Sequence, residues 1–145
     1  LTIGGILGGI AISMKGLKFW IWPMLIAMNL PNAVYLIMSY LQPESLYLIS
    51  AFVGIEQFGY GFGFAAFLMY LIYVARGNHQ TAHYAFGTGF MALGMQIPGI
   101  ISGFMQEWLG YQEFFIWVMI CTIPIFIVTK FLNIDPEFGK KSSKD

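Results

Sequence analysis

Glu56 is the residue of this sequence best placed to do chemistry. It is the only charged side chain in an apolar run from about Leu46 to Ala75. It lies about 11 residues into that run, some 16 Å at about 1.5 Å per residue. That depth is near the middle of a hydrocarbon layer about 30 Å thick. A carboxylate there is costly unless it is protonated, paired or hydrated, so such groups face a bundle interior or a water-filled cavity. In that position it can exchange protons or hold a polar solute. The alternative is a protonated Glu56 that bridges two helices for structure alone.

Other polar residues fall at compatible depths. Gln57 is adjacent, and Tyr60 lies one helical turn further on the same face. Gln96 sits about 15 residues into a later apolar run, also near mid-depth. It can share a cavity wall with Glu56, Gln57 and Tyr60, or simply link two helices by a hydrogen bond. Pro98 beside it removes a backbone donor, and Pro98-Gly99 predicts a local break. His79 and His83 are four apart, but two imidazoles without a nearby Cys or carboxylate do not make a metal site. His83 reads as a hydrogen-bonding or gating group near an interface, and His79 as solvated. The single cysteine, Cys121, excludes an internal disulfide and a four-cysteine site. No nucleophile stands at a recognisable spacing from a His and an acid, so the inventory points away from an enzyme. No cofactor motif appears: Gly59-x-Gly61-x-Gly63 follows no strand, and its aromatic, apolar surroundings suit helix packing or a cavity-lining stretch.

Composition supplies the setting. Hydrophobic residues are 58% of the chain and charged ones 10%, too much apolar surface for a soluble fold of 145 residues to hide. The lipid bilayer is the expected partner. With net charge zero, nothing attracts nucleic acid.

The apolar runs predict an all-α transmembrane protein, with helices over about 1–14, 19–41, 46–75, 81–106 and 114–132 and a polar tail over 133–145. The first run is too short to span and reads as a clipped helix; the chain starts at Leu1 inside it and is expected to be a piece of a longer protein. Gly4, Gly5, Gly8 and Gly9 give it small-xxx-small spacing for close packing. Pro31 predicts a kink in the second helix. Trp20, Trp22 and Tyr40 mark its ends like an aromatic belt. Lys15, Lys18, Arg76, Lys130, Lys140, Lys141 and Lys144 all fall on one predicted side, while Glu44, Glu107 and Glu113 fall in loops on the other. Lys and Arg are enriched in cytoplasmic loops, which places the C-terminus in the cytoplasm, with a tail expected to be disordered at its end.

Several segments resemble the C-terminal half of a major facilitator transporter, and specifically the AmpG-type muropeptide permeases. Gly54-Ile55-Glu56-Gln57-Phe58-Gly59-Tyr60-Gly61-Phe62-Gly63-Phe64-Ala65-Ala66-Phe67 is similar to that family's tenth helix, where Glu-Asn precedes a glycine-rich run and Ala-Ala-Phe. Thr81-Ala82-His83-Tyr84-Ala85 resembles the opening of helix eleven, and Gly94, Gly99, Gly103, Glu107 and Gly110 keep its spacing. Lys15-Gly16-Leu17-Lys18 resembles a weakened basic inner loop. The likeness covers about 52–128. It implies helices eight, clipped, to twelve of a twelve-helix fold. It also implies proton-driven import of anhydromuropeptides across a bacterial inner membrane, with Glu56 as the family's acid. Gln57 stands where the family has Asn, His83 where it has Gln, and Met95 where it usually has Arg. A related branch carries acetyl-coenzyme A, which leaves the solute open.

The proton-coupling and solute candidates are therefore Glu56, Gln57, Tyr60, His83 and Gln96. Expected partners are lipid, a small solute, protons and the N-terminal half of the same transporter. Without that half, the isolated chain is expected to self-associate or need detergent. A non-transporting membrane scaffold is the competing reading. An ion channel ranks lower, for want of charged rings or a filter-like loop.

Overall fold

The computed structural model describes residues 1–141; residues 142–145, with Lys144 and the tail end expected to be disordered, lie outside the described residues. Six helices account for most of the chain, and no strand occurs among the described residues. They are α1 (Thr2–Lys15), α2 (Leu17–Asn29), α3 (Pro31–Leu41), α4 (Leu46–Val74), α5 (Gln80–Leu109) and α6 (Tyr111–Lys130). The combined stretch Leu17–Leu41 and helices α4, α5 and α6 are each long and apolar enough to cross a membrane. Large apolar side chains such as Ile37, Phe90, Phe104 and Ile127 are exposed along them, as lipid-facing positions are. The chain is a multi-pass membrane protein.

α4 is the central element, packed most extensively against α1 and α2. Its glycines make this possible. Residues 59 and 63 are one turn apart on one face, while 61 lies about 200° round from 59, on another. A Cβ on Gly59 or Gly63 would strike α2, at the Ala27 carbonyl and at Met24 and Met28 respectively. A Cβ on Gly61 would strike Leu1 and Gly5 of α1. From the opposite side, Gly4 and Gly8 of α1 lie against the α4 backbone at Phe58 and Phe62, whereas Gly9 faces open space. The alternating glycines therefore let two helices approach α4 from two directions.

Pro31 divides α2 from α3. Having no N–H, it cannot bond the Ala27 carbonyl one turn back. The Leu30 N–H still reaches Ile26 O at 2.8 Å, and the Ala33 N–H bonds Leu30 O at 3.0 Å, a tightened turn at the break. The freed Ala27 carbonyl is the group that lies against Gly59. Pro98 behaves otherwise. α5 runs unbroken from Gln80 to Leu109, so the expected break is absent. Only the one bond to the Gly94 carbonyl is forfeited, and membrane helices tolerate such a loss when the flanking turns continue.

Two connections are shorter than the sequence suggests. Gly16 alone joins α1 to α2, at φ 83°, and Gly110 alone joins α5 to α6, at φ 82°. Glu107 and Glu113, expected in a loop, thus lie in the last and first turns of helices. The core sits at the end carrying the basic residues. Ile12, Leu17, Met24 and Ala66 are buried there with Ile134 and Phe138 of the C-terminal segment. That segment is docked: Leu17 N–H bonds Phe138 O at 2.9 Å and Lys141 N–H bonds Ser13 O at 2.8 Å. The Phe138 ring lies 4.9 Å from that of Tyr73, and the Arg76 guanidinium lies 4.0 Å from the Phe138 ring centre. Trp20 also turns inward, edge-on to Phe62 at 5.8 Å, rather than joining an interfacial belt.

Candidate functional site

Glu56 lies in the third turn of α4, just beyond the part of that helix covered by α1, which begins beside Phe58 and Gly61. Its carboxylate is partly buried and accepts two hydrogen bonds. The Tyr35 hydroxyl donates to Oε2 at 3.3 Å, and the Gln57 amide Nε2 donates to the same oxygen at 2.8 Å. Oε1 has no hydrogen-bond donor and no cation pairs with Glu56 among the described residues.

Tyr35 was not legible as a site residue. It stands in α3, 21 residues away in sequence, and reaches Glu56 only because α3 is packed against α4 and α6. The Tyr35 ring stacks on Phe115 of α6, with centroids 6.1 Å apart and planes 16° from parallel. An aromatic shelf therefore fixes the hydroxyl. The only advance signal was a tyrosine about one turn after a helix-breaking proline.

The other expected residues separate. Tyr60 follows Glu56 by one turn and lines an open-sided groove of about 540 Å³ between α2, α4, α5 and α6. Phe64, Phe67 and Tyr70 continue that stripe, and the facing wall includes Met95 and Thr129. Glu56, Gln57 and Gln96 do not line this groove. Gln96 is exposed in a separate shallow depression beside Met91 and Gly99. The expected common wall of Glu56, Gln57, Tyr60 and Gln96 does not form. The reason lies in α5, which has no buried residue and touches α4 through Gly87 on Leu71, toward the basic end. His83 is exposed in the first turn of α5, and His79 stands at its N-cap position without a side-chain capping bond.

Chemically, the cluster is a carboxylate in a membrane-length helix that accepts hydrogen bonds from two neutral donors. The groove beside it is mainly apolar and aromatic.

Comparison with known proteins gives one consistent result. The chain is 27% identical over 126 residues to a Rickettsia prowazekii protein named "Putative transporter AmpG 1", covering 87% of this chain and 28% of that protein. Its counterpart in Rickettsia felis is 28% identical over the same coverage. A Rickettsia typhi protein of the AmpG 2 name is 24% identical over 131 residues. The chain therefore spans less than a third of the length of the curated relatives it matches. No protein-family model matches the chain, and no solved structure matches it. The resemblance to AmpG-type permeases carried by the Glu56 and glycine segment thus extends, at low identity, over most of this membrane chain.

Proposed function

We propose that this chain forms the C-terminal part of a secondary active transporter of major facilitator type. The transporter imports cell-wall muropeptide or anhydro-sugar solutes, driven by protons, across a bacterial inner membrane. In that reading α1 is part of helix eight, α2 and α3 are the two halves of helix nine, and α4, α5 and α6 are helices ten to twelve. Substrate sites of such transporters lie between two halves at mid-membrane depth. The rest of the protein supplies the other wall.

The observation that carries the proposal is the Glu56 carboxylate, in the third turn of a membrane-length helix, with two donors on Oε2 and none on Oε1 among the described residues. A proton taken onto Oε1 neutralises the group, and its release on the other side restores the carboxylate. Neutralisation removes the cost of carrying charge through the membrane, which is how proton binding favours reorientation. The likeness to the Rickettsia relatives supports the transport role. The aromatic stripe of Tyr60, Phe64 and Phe67 suits the apolar faces of sugar rings.

The test is uptake of an anhydromuropeptide by the full-length protein in proteoliposomes, with and without an imposed pH gradient. One pH unit is worth about 1.4 kcal/mol per proton, enough for about tenfold accumulation. Wild type should accumulate solute under the gradient. Glu56→Gln, which keeps shape but cannot titrate, should lose accumulation while retaining exchange down a solute gradient. Gradient-driven accumulation by Glu56→Gln would overturn the assignment and make His83 the next residue to examine.

A further inference from the structure

We propose that segment 132–141 is a strap. Docked, it holds the end of α6 to α4 and to the α1–α2 turn across the basic end of the groove; released, it lets the groove open at that end. The use of that opening in transport rests on the reading above, whereas the geometry of the strap does not. Among the described residues α6 makes no close backbone approach to α4, from which the groove separates it, nor to α1. Segment 132–141 supplies that connection. It begins in the groove wall, where Leu132 follows Val128 and Thr129, and it ends on the α1–α2 turn, where Lys141 bonds Ser13.

The segment is closed on itself. The Glu137 N–H bonds Asp135 Oδ1 at 2.9 Å and the Phe138 N–H bonds Asp135 O at 3.1 Å, a turn held by its own aspartate. Its attachments reach three helices. The Tyr73 hydroxyl of α4 donates to Asn133 O at 3.3 Å and accepts from the Asp135 N–H at 3.2 Å. Ile134 and Phe138 are buried against Ile12 of α1, Leu17 of α2 and Ala66 of α4. The Leu17 N–H, at the start of α2, has no partner within its own helix and bonds Phe138 O at 2.9 Å. Ser13 O, in the last turn of α1, accepts from the Lys141 N–H at 2.8 Å. The segment thus completes both helix ends at the one-residue Gly16 joint. The approach is close: a Cβ on Gly16 would stand 2.8 Å from Pro136 O, and one on Gly139 2.7 Å from Ile12 Cγ2.

These attachments can release together. They belong to one short stretch with two buried apolar anchors, and elements with few buried contacts are the ones that open locally. The Phe138 ring is covered from the exposed side by the Arg76 guanidinium, 4.0 Å from its centre. With the strap released, α6 is held by α3, α5 and a brief contact with α2. Its end, which turns Ile125, Val128 and Thr129 to the groove, can then move away from Phe67 and Tyr70 of α4.

The experiment measures the α4–α6 distance in the full-length protein by pulsed electron paramagnetic resonance. Cys121 is replaced, and spin labels are placed on Val74→Cys at the end of α4 and Ile127→Cys in α6, both exposed positions. Phe138→Ala should give a longer and broader distance than the labelled parent. Glu137→Ala removes only the exposed ion pair with Lys140 and should leave the distance unchanged. Should Phe138→Ala fail to fold, Tyr73→Phe keeps the ring beside Phe138, removes only the hydroxyl, and should lengthen the distance in the same way. An unchanged distance in the folded variant overturns the proposal, even with lowered thermal stability, since that is the result a merely structural cap would give. An equal lengthening in Glu137→Ala would mean general loosening and would also overturn it. Release is tested with Ser13→Cys and Lys141→Cys, where strap and turn meet. Joining the pair with a short bis-thiosulfonate cross-linker should abolish solute uptake until a reductant cleaves it. Uptake at the uncross-linked rate by the joined form overturns the release step. If the parent protein takes up no solute in either state, the transport reading fails, and the distance comparison alone decides whether the strap holds α6.

Discussion

Both donors to Glu56 converge on one oxygen, and this has a consequence for Gln57. Its amide makes the shorter of the two bonds, 2.8 Å against 3.3 Å for Tyr35, but it comes from the neighbouring residue of the same helix. It can orient the carboxylate without linking α4 to another element. Gln57→Leu should therefore lower gradient-driven uptake about fivefold, the equivalent of about 1 kcal/mol for one lost hydrogen bond. Unchanged uptake would show that Gln57 does not orient the carboxylate. Of this cluster, Glu56 and Gln57 were readable in the sequence because a charge stands out in an apolar run and its neighbour is fixed by the chain. Tyr35 was not, because its approach depends on how α3 packs beyond the Pro31 break. Gln96 was misplaced for a related reason: depth along a helix can be counted, but the azimuth of α5 about α4 cannot.

The glycines of α4 act at the scale of helices. Gly59, Gly61 and Gly63 each lie against a backbone or side chain of α1 or α2. Gly63→Ala would bring a Cβ to 2.7 Å from Met24 O and 2.5 Å from Met28 Cβ. Overpacking of this kind typically costs about 1–3 kcal/mol. At Gly54 the added Cβ meets nothing within 4 Å, and Gly→Ala within a helix is otherwise favourable by roughly 0.5–1 kcal/mol. The two substitutions should thus differ in sign in thermal unfolding of the protein in detergent. Equal effects would refute the packing role of Gly63. Helix packing through glycine was legible from spacing, with Gly4 and Gly8 of α1 as anticipated; which helix would answer each glycine was not. The same holds for proline. Pro31 breaks its span and Pro98 does not, although each removes one donor, so the outcome is set by neighbouring turns rather than by the residue type.

At the scale of the molecule, the basic residues form one pole. Lys15 and Lys18 flank the α1–α2 turn, Arg76 follows α4, Lys130 ends α6, and Lys140 and Lys141 lie in the docked C-terminal segment. All six lie at the same end of the bundle, although they come from four separate stretches of sequence. Counting apolar runs was sufficient to anticipate this, since each crossing inverts the chain. Counting could not anticipate the docking of Ile134 and Phe138 into the core, because a short polar segment carries two apolar side chains without any periodic pattern. Glu44, Glu107 and Glu113 lie toward the other pole. By the enrichment of Lys and Arg in cytoplasmic loops, the proposed topology puts the basic pole in the cytoplasm. Single cysteines, introduced after Cys121 is replaced, give the test. Asn78→Cys is at the basic pole between α4 and α5, and Gln112→Cys is in the first turn of α6 at the other pole; both native side chains are exposed or partly so. A membrane-impermeant thiol reagent applied to the outer face of the inner membrane should label Gln112→Cys and spare Asn78→Cys until the membrane is permeabilised. The reverse pattern would invert the topology. Protons moving inward would then enter from the basic pole rather than from the pole of Glu44, Glu107 and Glu113.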